Sequence, residues 1–273
     1  TFGSARNTLD WSLSKSLGKA GAIDLGLNLA RETGYSWEDY TGGFEASRHN
    51  RAAFLAWRGR FGRQSWEASV RHDDSSQFGG ASTGSLAWGW QAAPQWRVRA
   101  NLGQGFRAPD FNALYYPGFQ VAPGVVLFAG NDLLEPERSR TAEAGLDWTP
   151  SADTRVGLSL YRSRVDDLIV FAGALFQATN IARAQIDGAE LEFATRVGAL
   201  SLRGQAGWLD ARDAGTGEPL LRRAPRKAAL SADWAFGNGA SAGIDFSAVA
   251  ARPDVGDARL GGYGRVDLRA MLP

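Results

Sequence analysis

Leu230–Ala248 reads LSADWAFGNGASAGIDFSA, and its punctuation sets the fold. Leu230, Ala232, Trp234 and Phe236 alternate with Ser231 and Asp233; Gly237–Gly239 breaks the run; then Ala242, Ile244, Phe246 and Ala248 alternate with Gly243, Asp245 and Ser247. A period of two puts apolar and polar residues on opposite faces of a strand, so the stretch is a hairpin with one greasy and one wet side. The same alternation recurs in both directions. It places Leu9, Trp11 and Leu13 against Asp10 and Ser12, Leu25, Leu27 and Leu29 against Gly26 and Asn28, and Leu86, Trp88 and Trp90 against Ser85 and Gly89. Further on, Val156, Leu158 and Leu160 oppose Arg155 and Ser159, and Val266, Leu268 and Ala270 oppose Arg265 and Asp267. Between Arg51 and Phe61 the pattern blurs because Phe54 falls on the polar side, although a strand is still the reading.

The connections separate a soluble sandwich from a membrane barrel. Tight turns are expected at Gly18–Gly21, Gly62–Gln64, Ala92–Gln95, Thr149–Asp153, Gly198–Ala199 and Gly237–Gly239. Longer loops are expected between them at Gly34–Ser47, Ser75–Thr83, Arg107–Arg138, Phe171–Ala174, Arg212–Ala224 and Arg252–Gly261. Strict alternation sends the tight turns to one rim and the longer loops to the other, as in transmembrane barrels and unlike a Greek-key sandwich. Trp37, Tyr40, Trp88, Trp90, Trp148, Trp208, Trp234 and Tyr263 fall near strand ends, where amphipathic rings form interfacial girdles. The fold class is therefore all-β, a transmembrane antiparallel β-barrel.

The longest irregular stretch, Asn101–Arg140, contains GQGFRAPDFNALYYPGF and GNDLLEPERS. Phe106, Arg107, Ala108, Pro109, Leu114, Tyr115, Gly130, Asn131, Leu134, Pro136, Glu137 and Ser139 make it resemble the corresponding block of TonB-dependent outer-membrane receptors. Val70–Gly79, Asp166–Ile169, Asn180–Glu192 and Pro219–Lys227 extend the similarity, most of all to the vitamin B12 receptor branch. The resemblance implies a 22-stranded barrel of which residues 1–273 supply about thirteen strands, without the plug domain, the TonB-contacting box or the last two strands. It also implies outer-membrane location in a Gram-negative bacterium, import of cobalamin, and as partners the TonB complex, outer-membrane lipid and lipopolysaccharide. An internal piece of this kind is expected not to fold alone, since unpaired edges are costly in lipid. A ferric siderophore or another chelate is the alternative cargo, and an outer-membrane enzyme or adhesin is the alternative class.

Composition bounds the rest. A formal charge of +1 suggests no nucleic-acid partner, and the absence of Cys excludes disulfides and thiolate zinc sites. No apolar run approaches the roughly 18 residues of a spanning helix. Tyr, Pro109, Pro117 and Pro136 favour a stiff central loop.

Gly103, Gly105 and Ala108 spell a dinucleotide fingerprint, but Pro109 interrupts the helix that should follow and the preceding strand is not buried on both faces. His49 and His72 lack metal-pair spacing. Asp73–Asp74 and Asp166–Asp167 point to opposite faces of a strand, so neither makes a catalytic pair. No catalytic residue, no metal ligand (calcium included) and no cofactor is expected. Arg222, Arg223, Arg226 and Lys227 form a basic cluster on a loop, open to headgroup contact as well as to substrate capture. For substrate binding, the resemblance carries over Arg222, and Thr1 at the chain end. The loop after Arg252 has no counterpart of a family tyrosine.

Overall fold

A computed structural model describes residues 2–38, 42–256 and 258–272. The alternating segments form β1 (Phe2–Ser16), β2 (Ala22–Glu38), β3 (Gly42–Phe61), β4 (Gln64–Ser75), β5 (Gly79–Ala93) and β6 (Trp96–Arg107). After a short helix α1 (Phe111–Tyr115) and a small hairpin, β7 (Phe119–Ala122) and β8 (Val125–Leu127), come β9 (Glu137–Ser151), β10 (Thr154–Ala172) and β11 (Gln177–Val197). The chain continues through β12 (Leu200–Asp213), β13 (Arg226–Ala235), β14 (Ser241–Val249), the two-residue β15 (Arg252–Pro253) and β16 (Arg259–Leu260), and β17 (Tyr263–Met271). A 13-stranded antiparallel sheet runs β1-β2-β3-β4-β5-β6-β9-β10-β11-β12-β13-β14-β17, each strand beside its chain neighbour, with β1 and β17 as its edges. β7–β8 and β15–β16 are separate hairpins inside connections.

Register keeps like with like. Leu9, Trp11 and Leu13 stand opposite Leu29, Leu27 and Leu25, while Asp10 and Ser12 stand opposite Asn28 and Gly26. Leu25 continues to Leu55 and Leu55 to Val70, and Leu86 stands opposite Leu102. These side chains are not the wall of a dry interior: Leu9 is 67% exposed and Leu268 80%. An apolar face of this extent is what a barrel presents to hydrocarbon. The polar face carries the charges, in cross-strand sets such as Arg99 with Glu143 (2.5 Å) and Asp147 (3.5 Å). Arg269 with Asp233 (2.9 Å) and Asp245 (2.6 Å) makes another.

Phe54 does lie on the polar face, and the reason is its neighbour. It stands opposite Gly26, and its ring occupies the space a Cβ there would need. Tyr161 covers Gly188 on the same face in the same way.

Tight turns at residues 17–21, 62–63, 94–95, 152–153, 198–199 and 236–240 share one rim, as expected. Two of the six longer loops need correction. Gly34–Ser47 is mostly strand, because β2 runs to Glu38 and β3 starts at Gly42, and Ser75–Thr83 shrinks to residues 76–78. These strands extend past the regular apolar band; Tyr35 and Trp37 still continue the outward row, but the glycines and polar residues around them weaken the alternation.

Toward the turn rim the apolar face ends in indoles. Trp66 and Trp88 lie 6.2 Å apart, Trp88 and Trp90 6.3 Å, and Trp96 and Trp148 5.6 Å. Trp57 Nε1 donates to the Ala20 carbonyl (2.9 Å) and Trp88 Nε1 to Gln64 Oε1 (3.0 Å), giving each indole an apolar body and a bonded tip. Of the rings expected in a girdle, Trp88, Trp90 and Trp148 stand in this row, whereas Trp37, Trp208 and Tyr263 lie toward the loop rim. Tyr40 lies outside the described residues.

Candidate functional site at the loop rim

The 108–136 connection is packed, not draped. Pro109 is fully buried, and Ala113, Leu114, Leu134 and Ala178 form a small core with Phe78, Tyr115 and Ile169 against it. Asp110 caps α1, its carboxylate accepting from the Ala113 N–H (2.8 Å). On one side Arg48, on the polar face of β3, pairs with Glu32 (2.6 Å), donates to the Pro109 carbonyl (2.6 Å) and lies 4.8 Å from the Phe111 ring centre. Phe111 in turn packs on Gly34 of β2. On the other side Asn131 donates to the Ala178 carbonyl (3.1 Å), and Asn180 bonds the backbone of Glu135 in both directions. Glu137, 7% exposed, accepts from the Ile169 N–H (2.9 Å) and pairs with Arg107 (3.1 Å). The loop thus spans from β2 and β3 to β10 and β11 on the polar side of the sheet and covers part of the mouth.

Most motif residues in this block hold the loop. Gly130 has its Cα against the Leu114 carbonyl, with no room for a side chain. Gly103 and Gly105 lie within β6, and a helix of five residues follows Pro109, which removes the dinucleotide reading.

A second feature was not visible in the sequence. Phe128 lies 5.6 Å from Phe119, 5.3 Å from Phe176 and 6.2 Å from Phe171, ring centre to centre. This cluster joins the β7–β8 hairpin to the β10–β11 tip, where the Phe128 N–H donates to the Leu175 carbonyl (2.9 Å). Phe128 (φ 59°) and Phe176 (φ 50°) hold backbone conformations that bulky residues avoid. Phe119 and Phe171 remain 43% and 47% exposed, so the cluster offers an aromatic surface at the rim. Only the phenylalanine content of the loops hinted at it.

Arg222 has φ 59°; its N–H donates to the Pro253 carbonyl (2.8 Å) and its Nε to Asp254 Oδ1 (2.7 Å). The 214–225 and 250–262 connections are thereby clipped together. The Arg222 hydrogen bond, aided by the Val255 N–H, holds the Asp254 carboxyl below the ordinary carboxylate range. The expected basic cluster does not stay together. Arg226 stands opposite outward-facing Trp208, while Lys227 stands opposite Gly207 on the polar face, because adjacent strand residues diverge. Beside this clip, Arg252 keeps a buried Nη1 with no hydrogen-bond partner among the described residues. Thr1 lies outside the described residues.

Among the described residues no group of three or more His, Asp or Glu could hold a metal ion. His72 Nδ1 shares a hydrogen with Ser82 Oγ (2.9 Å), and Asp73 pairs with Arg71 (2.7 Å) while Asp74 faces the other way, opposite Arg51.

The family model described as "TonB dependent receptor-like, beta-barrel" matches residues 2–270. The chain belongs to the TonB-dependent receptor family. It is 31% identical over 230 residues to the vitamin B12 transporter BtuB of Vibrio vulnificus, covering 81% of this chain and 35% of that protein. It is 31% identical over 242 residues to BtuB of Photobacterium profundum, covering 83% and 37%. The chain thus spans about a third of the length of these curated relatives. Among solved structures, a mutant ferric enterobactin receptor of Pseudomonas aeruginosa superposes with a TM-score of 0.83 at 14% identity, over 98% of this chain and 46% of that one. The copper transporter OprC gives 0.76 at 20%, over 98% and 48%. These structures share the barrel fold of the TonB-dependent receptors. The family consists of receptors and transporters.

Proposed function

We propose that this chain is barrel wall from an outer-membrane importer of a cobalamin-type nutrient, driven through the TonB complex. The observation that carries the reading is the 31% identity with two vitamin B12 transporters over four-fifths of the chain. The loop rim would do the capturing. A bulky cargo with apolar and amide surfaces suits an aromatic platform at Phe119, Phe128 and Phe171 beside hydrogen-bonding groups. Arg222 is the cationic contact: its side chain is 63% exposed yet already held by Asp254, so little ordering cost attends its use. Thr1 is the second contact residue carried over. The barrel supplies no energy source of its own, so release depends on the inner membrane acting through TonB.

The test is uptake and equilibrium binding of cyanocobalamin by the full-length protein, with ferric siderophores as competitors. Saturable cyanocobalamin binding, weakened by Arg222→Ala, supports the assignment. Siderophore uptake without cobalamin binding overturns it in favour of chelate transport. Turnover of either ligand would favour the enzyme reading.

A further inference from the structure

The phenylalanine cluster is assembled from two connections. Phe119 and Phe128 come from the β7–β8 hairpin and the residue after it, Phe171 and Phe176 from the end of β10 and the turn that follows. Phe128 is the middle ring, the one that the other three all touch. Phe119 and Phe176 lie nearly parallel to it, at 21° and 16°, and Phe171 is tilted by 52°. Backbone fixes both halves. Gly118 (φ 75°) has no room for a side chain against the Leu127 carbonyl, so the hairpin closes tightly there and carries Phe119, opposite Leu127, onto Phe128. In the other half the Phe176 N–H donates to the Gly173 carbonyl (3.1 Å), folding the turn that brings Phe176 back.

Bulky residues keep a positive φ, as Phe128 and Phe176 do, only where their surroundings over-determine it, and such positions gather at ligand clamps. In a core, full burial of the rings would account for it. Here three of the four rings stay open to a third or more of their surface, and among the described residues no cationic side chain lies over them. Phe171 stands opposite Ala178, which is buried in the small core of the central loop, so the cluster is on the mouth side of the sheet. Leucines would make an equally apolar patch. What rings add is a flat π surface, against which another flat ring settles in an offset or edge-on arrangement.

We propose that Phe119, Phe128 and Phe171 form a stacking subsite for a planar aromatic ring carried by the cargo, with Phe176 as the positioning residue that holds Phe128. The subsite rests on the reading that this rim captures cargo, and not on which cargo it is. The aromatic base on the nucleotide arm of a cobalamin offers the required chemistry, and so do the catechol rings of a siderophore.

Equilibrium binding to the full-length protein separates the two with paired ligands. Cyanocobalamin is set against dicyanocobinamide, the same corrin without the nucleotide arm, and a ferric tris-catecholate against a ferric trihydroxamate, which has no aromatic ring. The protein should prefer the ring-bearing member of one pair by about tenfold or more, and that pair identifies the source. Phe119→Leu/Phe171→Leu, which keeps apolar surface but removes two π faces, should cut this preference by about tenfold, and Phe119→Tyr/Phe171→Tyr should restore it. Phe176→Leu, acting through Phe128, should cut it by about threefold. Heat-modifiable migration checks that each variant is folded. An unchanged preference in the double leucine variant, or an equal loss for both members of the pair, overturns the subsite; cobalamin import still stands in that case if Arg222→Ala weakens cyanocobalamin binding. No preference within either pair overturns the subsite as well. A preference for the tris-catecholate, lost in the double leucine variant, without any cyanocobalamin binding sustains the subsite and overturns the cobalamin assignment instead.

Discussion

The two faces of the one sheet solve opposite problems. On the polar face, charges find partners: Arg58 meets Asp24 at 2.8 Å, Asn28 donates to Asp10 at 2.6 Å, and Arg99 bridges β6 to β9 and β10 through Glu143 and Ser159. Two rings on that face, Phe54 and Tyr161, each cover a glycine on the neighbouring strand. On the outward face, leucines and tryptophans are left bare. Net charge and composition describe neither face, because one sheet averages them.

The sharpest way to break this comparison is to exchange the rules. Leu27→Arg in the full-length protein should cost about 2–4 kcal/mol in bilayer refolding titrations, since it puts a charge at mid-band in lipid. Its neighbour Asn28→Arg, facing the wet side, should cost markedly less, and equal costs would end the assignment of faces. Next in size, Gly26→Ala should destabilise by about 1–3 kcal/mol by displacing the Phe54 ring. Phe54→Ala in the same chain should remove most of that penalty, a coupling that a double-mutant cycle reads directly.

Glu137→Ala should loosen the central loop by about 1–3 kcal/mol, because the Ile169 N–H and Arg107 lose their buried acceptor. Limited proteolysis would report it as faster cleavage within residues 108–136 with the sheet intact. The smallest effect concerns Asp254. Its carboxyl is held below its ordinary value, so the clip to Arg222 is fully present above the usual carboxylate range and is lost as pH falls through the lowered value. Hydrogen exchange at the Arg222 amide should therefore be flat from neutral pH down to about 5, after correction for intrinsic rates, and rise below that. Asp254→Asn should abolish the acid dependence.

Much of the sheet was legible because lipid enforces contrast: wherever hydrocarbon meets one face, as at Leu200–Trp208 or Ala242–Ala248, alternation alone locates the strand. Legibility failed where that contrast stops. Gly34–Ser47 and Ser75–Thr83 look like loops because water touches both sides of β2, β3, β4 and β5 there, and glycine and polar residues are then tolerated in either orientation. Phe54 misled because its reason lies on the adjacent strand, at Gly26. At the rim, the family block marked where the loop is anchored, through Pro109, Asn131 and Glu137, but the phenylalanine cluster depends on contacts between residues 119 and 176 that no local pattern encodes. Arg222 could be singled out by resemblance, whereas Asp254 could be found only by its position across the gap.

β11 has 21 residues, a contour of roughly 70 Å. Crossing hydrocarbon takes only about 9–11 residues of a tilted strand. The surplus stands above the lipid as hydrogen-bonded ladder, like a palisade around the mouth. Groups mounted on such a collar start near their final positions, so an arriving molecule has little wandering to arrest.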